Sequence, residues 1–236
     1  MTPPMVRRVR EGLGVLAEPS KAKAMRAYMK SDMPFMGVSA VPLQKMCTAL
    51  FADLRYQGAE AWVEDVLALW RGARFREERY AAILLTGARP ARGFQRIAAI
   101  GLYEEIVTSG AWWDYVDPIA TQRLWEMLCN DPAPVKRLMR RWSTDENMWK
   151  RRCAILCQNK AKLATDLALL YGCIAPSLES KEFFLRKAIG WALREYAWTD
   201  PDEVRRYVSE NADRLSGLSR REALKNIGGL GVEGAG

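Results

Sequence analysis

The sequence predicts an all-α protein, a stack of short paired helices. Apolar residues recur at helical spacing in nearly every segment, and no convincing alternating strand occurs. The segments also resemble one another at a fixed interval, the mark of a repeat architecture.

The helices follow in order. "PLQKMCTALFADLR" places Pro42 just inside a start, where its missing N–H costs nothing. "GAEAWVEDVLALWRG", "REERYAAILLTGA" and "GFQRIAAIGLYEEIV" continue the pattern. "DPIATQRLWEMLC", "APVKRLMRRWS", "MWKRRCAILCQ" and "AKLATDLALLYG" come next, and "SKEFFLRKAIGWALREYAW" and "DPDEVRRYVSENADRL" end the series. Ser180 and Asp200 read as N-caps.

The interval emerges when three segments are aligned on an aromatic residue: "WDYVDPIA" from Trp113, "WKRRCAIL" from Trp149 and "FLRKAIGW" from Phe184. The offsets are 149 − 113 = 36 and 184 − 149 = 35. A looser copy, "FREERYAAIL", begins at Phe75. Such a period with two helices per unit predicts HEAT-like repeats in a curved solenoid with a basic concave surface. One domain is expected over residues 1–225, followed by a glycine-rich tail at 226–236 expected to be disordered.

This alignment places Asp117 in the slot held by Cys153 and Ala188, both small residues suited to packing. A carboxylate there is anomalous. One position earlier lie Val116, Arg152 and Lys187, so successive copies present basic residues on one surface. Trp113 and Asp117, four residues apart, share a helix face.

Composition narrows the chemistry. The 236 residues contain no histidine, which excludes Ser-His-Asp and Cys-His catalysis and the usual zinc hydrolases. The cysteines form no C-x-x-C pair and read as small buried hydrophobes. Lys and Arg total 36 against 28 for Asp and Glu, a formal +8 that fits a polyanionic partner. No apolar run reaches the ~18 residues of a membrane span, and the N-terminus lacks the apolar core of a signal peptide. The expectation is an intracellular, cytoplasmic protein that meets the nucleoid through DNA.

Four stretches then resemble the AlkD-like DNA alkylation repair family, glycosylases built from HEAT-like repeats. They are "YMKSDMPFMGVSAVPLQ" (28–44), "WWDYVDPIA" (112–120), "WKRRCAILCQ" (149–158) and "FFLRKAIGWALREYAW" (183–198). The resemblance covers about residues 20 to 210 in the family's order. It implies a catalytic acid at Asp117 with Trp113 one turn before it, a second pocket tryptophan at Trp191, and roles for Arg152 and Tyr28. Arg152, Lys187, Tyr28 and Arg151 are the expected DNA-binding residues. The runs "VKRLMRR", "RPAR" and "RGARFREER" mix phosphate contacts with surface charge.

Each residue has a plainer reading. Asp117 could cap a helix beginning at Pro118. Trp113 and Trp191 could fill the core, and Arg152 could be a solvated charge. The activity implied is hydrolysis of the glycosidic bond of positively charged N3- or N7-alkylated purines in duplex DNA. It needs no cofactor or metal, no membrane and no obligate protein partner, and a monomer suffices. The rival from another class is a non-catalytic repeat module that binds nucleic acid or an acidic protein.

Overall fold

The computed structural model describes residues 2–227. The tail expected to be disordered lies outside the described residues from 228 onward, and 226 and 227 form part of a turn. Among the described residues every regular element is helical, with no strand, and no helix is long and apolar enough to cross a membrane. The chain forms two compact units, one ending at Ile106 and the other beginning at Val107.

The first unit holds α1 (Pro4–Leu16), α2 (Pro19–Met29), α3 (Ala40–Phe51), α4 (Ala59–Arg71) and α5 (Arg76–Thr86), and α6 (Ile100–Gly110) begins in it. Val6, Val9 and Leu13 give α1 one apolar face, and Leu43, Cys47 and Phe51 do the same for α3 at four-residue spacing. Those faces meet Trp62, Val66, Leu69 and Trp70 of α4 and Ala81, Ala82 and Leu85 of α5, all buried. α2 is different: of its residues only Met29 is buried, while Lys21, Lys23, Arg26 and Tyr28 are exposed.

The loop between α2 and α3 is fixed by Glu77 of α5. Its Oε1 accepts the backbone N–H groups of Met36, Gly37 and Val38 at 3.0, 2.9 and 3.1 Å. Gly37 has φ +86°, and a Cβ there would lie 2.0 Å from the Glu18 carbonyl oxygen, so only glycine fits.

The second unit contains α7 (Trp113–Pro118), a π-helical turn (Ile119–Arg123), α8 (Leu124–Asn130) and α9 (Pro132–Trp142). They are followed by α10 (Met148–Leu156), α11 (Leu167–Ile174), α12 (Phe183–Ala197), α13 (Pro201–Glu210) and α14 (Gly217–Leu224). α10 packs on α7 and α12, and α12 packs on α14. α9 contacts α10, α11 contacts α9 and α10, and α13 contacts α12 and α14. Asn147 caps α10 through the N–H groups of Trp149 and Lys150 at 2.9 and 3.3 Å. Asp200 caps α13 as the sequence predicts, accepting from Glu203 N at 2.9 Å. Ser180 does not cap α12, whose N-cap is Glu182.

Two expectations are corrected here. The helix bearing Asp117 starts at Trp113, so Asp117 is not an N-cap and Pro118 lies inside the helix. Proline has no N–H to give the carbonyl four residues back and its ring crowds that carbonyl. The ladder answers with the π turn, and Thr121 Oγ1 donates to the Asp117 carbonyl at 2.8 Å. Burial of Tyr115, Val116, Ile119 and Ala120 outweighs the local preference for proline in a first turn.

The repeat register also shifts by one. α7, α10 and α12 start at Trp113, Met148 and Phe183, giving 148 − 113 = 35 and 183 − 148 = 35. Counted from those starts, Asp117, Arg152 and Lys187 occupy one equivalent position. The counterpart of Asp117 is therefore Arg152 rather than Cys153.

Candidate active site

The fifth residue of α7 meets the fifth residue of α10. Arg152 Nε and Nη2 donate to Asp117 Oδ1 and Oδ2 at 2.7 and 2.8 Å, a bidentate pair. The third nitrogen, Nη1, donates to the Phe184 carbonyl of α12 at 2.6 Å. One guanidinium thus ties the first turns of three neighbouring helices together. The Arg152 side chain is only 6% exposed and that of Asp117 is 16% exposed.

Arg152, expected at DNA, is thus also tied into the protein: it is buried, and each of its three nitrogens donates to a protein oxygen. Burial pushes the Asp117 carboxyl above its ordinary value, Arg152 pulls it back down, and nearby Asp114 pushes it up; the net direction is upward. Each Asp117 oxygen accepts one guanidinium N–H and keeps further acceptor capacity, and the side chain retains some access to solvent.

An aromatic cluster borders the pair. The Trp149 and Phe184 rings lie 5.0 Å apart, and Trp112 is 6.2 Å from the first and 5.4 Å from the second. The Arg152 guanidinium carbon is 5.9 Å from the Phe184 ring centre. The Trp112 indole N–H is buried with no hydrogen-bond acceptor. Sequence reasoning used Trp149 and Phe184 only as repeat markers and missed Trp112. The usable signal was an aromatic residue at the second position of both α10 and α12.

The other expected residues are placed as follows. Trp113 is part-buried, one turn before Asp117 on α7. Trp191 is part-buried on α12, and its Nε1 donates to Glu195 Oε1 at 2.9 Å. Neither is among the buried core tryptophans, which include Trp62, Trp70, Trp142 and Trp149. Lys187 Nζ lies 2.7 Å from Glu222, which also binds Arg194. Arg151 donates from Nη2 to Ser177 Oγ at 2.9 Å and to the Pro176 carbonyl at 3.2 Å. Tyr28 belongs to the first unit, at the end of α2, and is 77% exposed.

Among the described residues no cluster of three or more Cys, Asp or Glu side chains could hold a metal ion. Cys153, Cys157 and Cys173 are buried in the second unit, with their thiols pushed up by burial. Cys129 departs from the expected burial and is exposed.

Comparison with known proteins gives the family. A family model described as DNA alkylation repair enzyme matches residues 9–227, across both units. Among solved structures the chain is similar to a predicted DNA alkylation repair enzyme from Enterococcus faecalis. That match has a TM-score of 0.81 and 28% identity, over 90% of this chain and 97% of that one. A search of curated proteins finds no match. The chain belongs to the DNA alkylation repair enzyme family.

Proposed function

We propose that the protein is a monofunctional DNA glycosylase that removes positively charged N3- or N7-alkylated purines from duplex DNA. The observation that carries this reading is the Asp117 carboxylate, fixed by Arg152 and still partly open to solvent.

An alkylated purine of this kind carries a positive charge, so its glycosidic bond is already weak. Water adds its oxygen to the sugar C1′ as the C1′–N bond breaks. The bonding pair returns to the ring, and the base leaves neutral. The sugar passes through an oxocarbenium-like transition state, as in glycoside hydrolysis. Asp117 stabilises that cation and orients the water, whose proton passes to the carboxylate or to solvent. Trp113 and Trp191 add cation–π attraction worth ~0.5–2 kcal/mol each.

Arg152 takes the part of a positioning residue. By holding both oxygens of Asp117 it fixes the carboxylate plane and opposes the upward push of burial. Backbone phosphates fall to the part-buried Lys187 and Arg151 and to the exposed α2 surface carrying Tyr28, Lys21, Lys23 and Arg26. Such contacts set register without reading sequence. The chain acts as a monomer, without cofactor or metal.

The test is release of free base from a duplex containing N7-methylguanine, measured under single-turnover conditions. The wild-type protein is expected to leave an abasic site. Asp117→Asn is expected to bind the duplex and to lose about 10²- to 10³-fold in rate, the usual loss when an electrostatic stabiliser is removed. Wild-type rates in that variant would remove Asp117 from the chemistry. Tight binding with no excision by the wild type would favour a non-catalytic module.

A further inference from the structure

A small cleft in the second unit lies between the turn after α10 and the C-terminal half of α12. Its walls include Asn159, Lys162, Thr165, Glu195 and Tyr196. The cavity volume is about 10 Å³, space for one water molecule and far too small for a purine. Glu195 is thus one wall of a cleft too small for a base. Its nearest task is visible instead in its bond to the Trp191 indole N–H at 2.9 Å.

The two residues are four apart on α12, so they stack on one helix face. Trp191 is part-buried and lacks the all-round packing that fixes the core tryptophans. A side chain so placed has rotamers to choose among, and one hydrogen bond selects the plane of its ring. A carboxylate on the indole N–H also draws the proton toward itself and leaves the π face richer in electrons. Attraction between that face and a cation is electrostatic and rises with this enrichment.

We propose that Glu195 is a positioning residue for excision, holding the Trp191 indole in one plane and strengthening its attraction for the developing cation. The proposal rests on the reading of Trp191 as part of the site. It adds a residue that acts through Trp191 and touches neither the sugar nor the base.

The experiment uses the full chain and an N7-methylguanine duplex. Single-turnover rate, duplex affinity and melting temperature are measured for wild type, Glu195→Ala, Glu195→Gln, Trp191→Leu and the Trp191→Leu/Glu195→Ala double variant. The indole N–H resonance of Trp191, labelled with nitrogen-15, is followed in the same proteins. Glu195→Ala is expected to slow excision about 2- to 30-fold, the range spanned by one cation–π contact. Affinity and melting temperature stay near wild type and the indole resonance moves. Glu195→Gln keeps an acceptor but loses the charge, and falls between. In the Trp191→Leu background the Glu195→Ala change costs nothing further. A full rate for Glu195→Ala beside a slow Trp191→Leu overturns the positioning role and leaves the site standing. An additive loss in the double variant also overturns it. A full rate for Trp191→Leu overturns the reading of Trp191, and this proposal with it.

Discussion

Each unit contains an acid withdrawn from water, and the two are held differently. Glu77 in the first unit is fully buried and takes four contacts from three consecutive backbone N–H groups, at 2.9–3.1 Å. Asp117 in the second unit is held by one guanidinium, and its side chain keeps 16% exposure. Backbone amides surround Glu77 and close it off from any reactant. Arg152 grips Asp117 from one side and leaves another edge available. The first arrangement secures a loop. The second suits a group that must meet a charge arriving from outside.

The contrast breaks most visibly at Arg152. Arg152→Ala leaves a nearly buried carboxylate without its partner, and such a loss costs about 3–5 kcal/mol. Thermal melting should show a large drop, where a residue that merely touched phosphate would show almost none. Glu77→Gln sharpens the comparison with a smaller effect. The amide group must face the Met36 N–H, and one poorly satisfied buried donor costs about 1–3 kcal/mol. Excision per folded molecule should stay at the wild-type level, measured by single turnover on protein quantified by activity-independent means. A substantial loss of rate would mean that the loop secured by Glu77 serves the reaction directly.

The smallest effect is a shift in pH. Burial raises the Asp117 carboxyl, so the anion is lost on acidification at a higher pH than for an ordinary aspartate. Excision should therefore decline at that higher pH. Arg152 pulls the carboxyl down, so weakening its grip with Arg152→Lys should move the decline further upward. A single-turnover pH profile checks both points, and a decline displaced downward in Arg152→Lys would contradict them.

Much of this was legible in the sequence. The apolar spacing gave the helical class and most helices from α3 to α13, but not α1 or α2. Asp117, Trp113, Arg152 and Trp191 could be picked out together because four stretches resemble a known family, and the likeness among the α7, α10 and α12 segments marked the acid as the odd member. The alignment missed by one residue because it matched Trp113 to Trp149, whereas Trp113 is the first residue of α7 and Trp149 the second of α10. The bond from Arg152 to Asp117 spans 35 residues and depends on how helices pack, which no local rule specifies. α14 escaped notice because it is short and buries little beyond Ser219 and Ala223. It lies against α12 where a Cβ on Gly190 would come within 2.9 Å of the Ser219 carbonyl oxygen.

The π turn after Pro118 has a geometric consequence for the length of this segment. Val116, Ala120, Leu124 and Leu128 are all buried, each four residues from the last. An α-helix has 3.6 residues per turn, so every four-residue step overruns by about 0.4 residue, and three steps overrun by about 1.2. One wide turn takes up roughly that excess. The stretch from 113 to 130 can thus keep a single face inward from end to end. Its residue count is a phase setting: deleting one residue between 119 and 123 would let the wide turn close to an ordinary α turn with α8 facing much as before, whereas inserting one would turn α8 by about 100° relative to Asp117. The segment can shorten there more readily than it can lengthen, because that count sets how α8 faces relative to the acid.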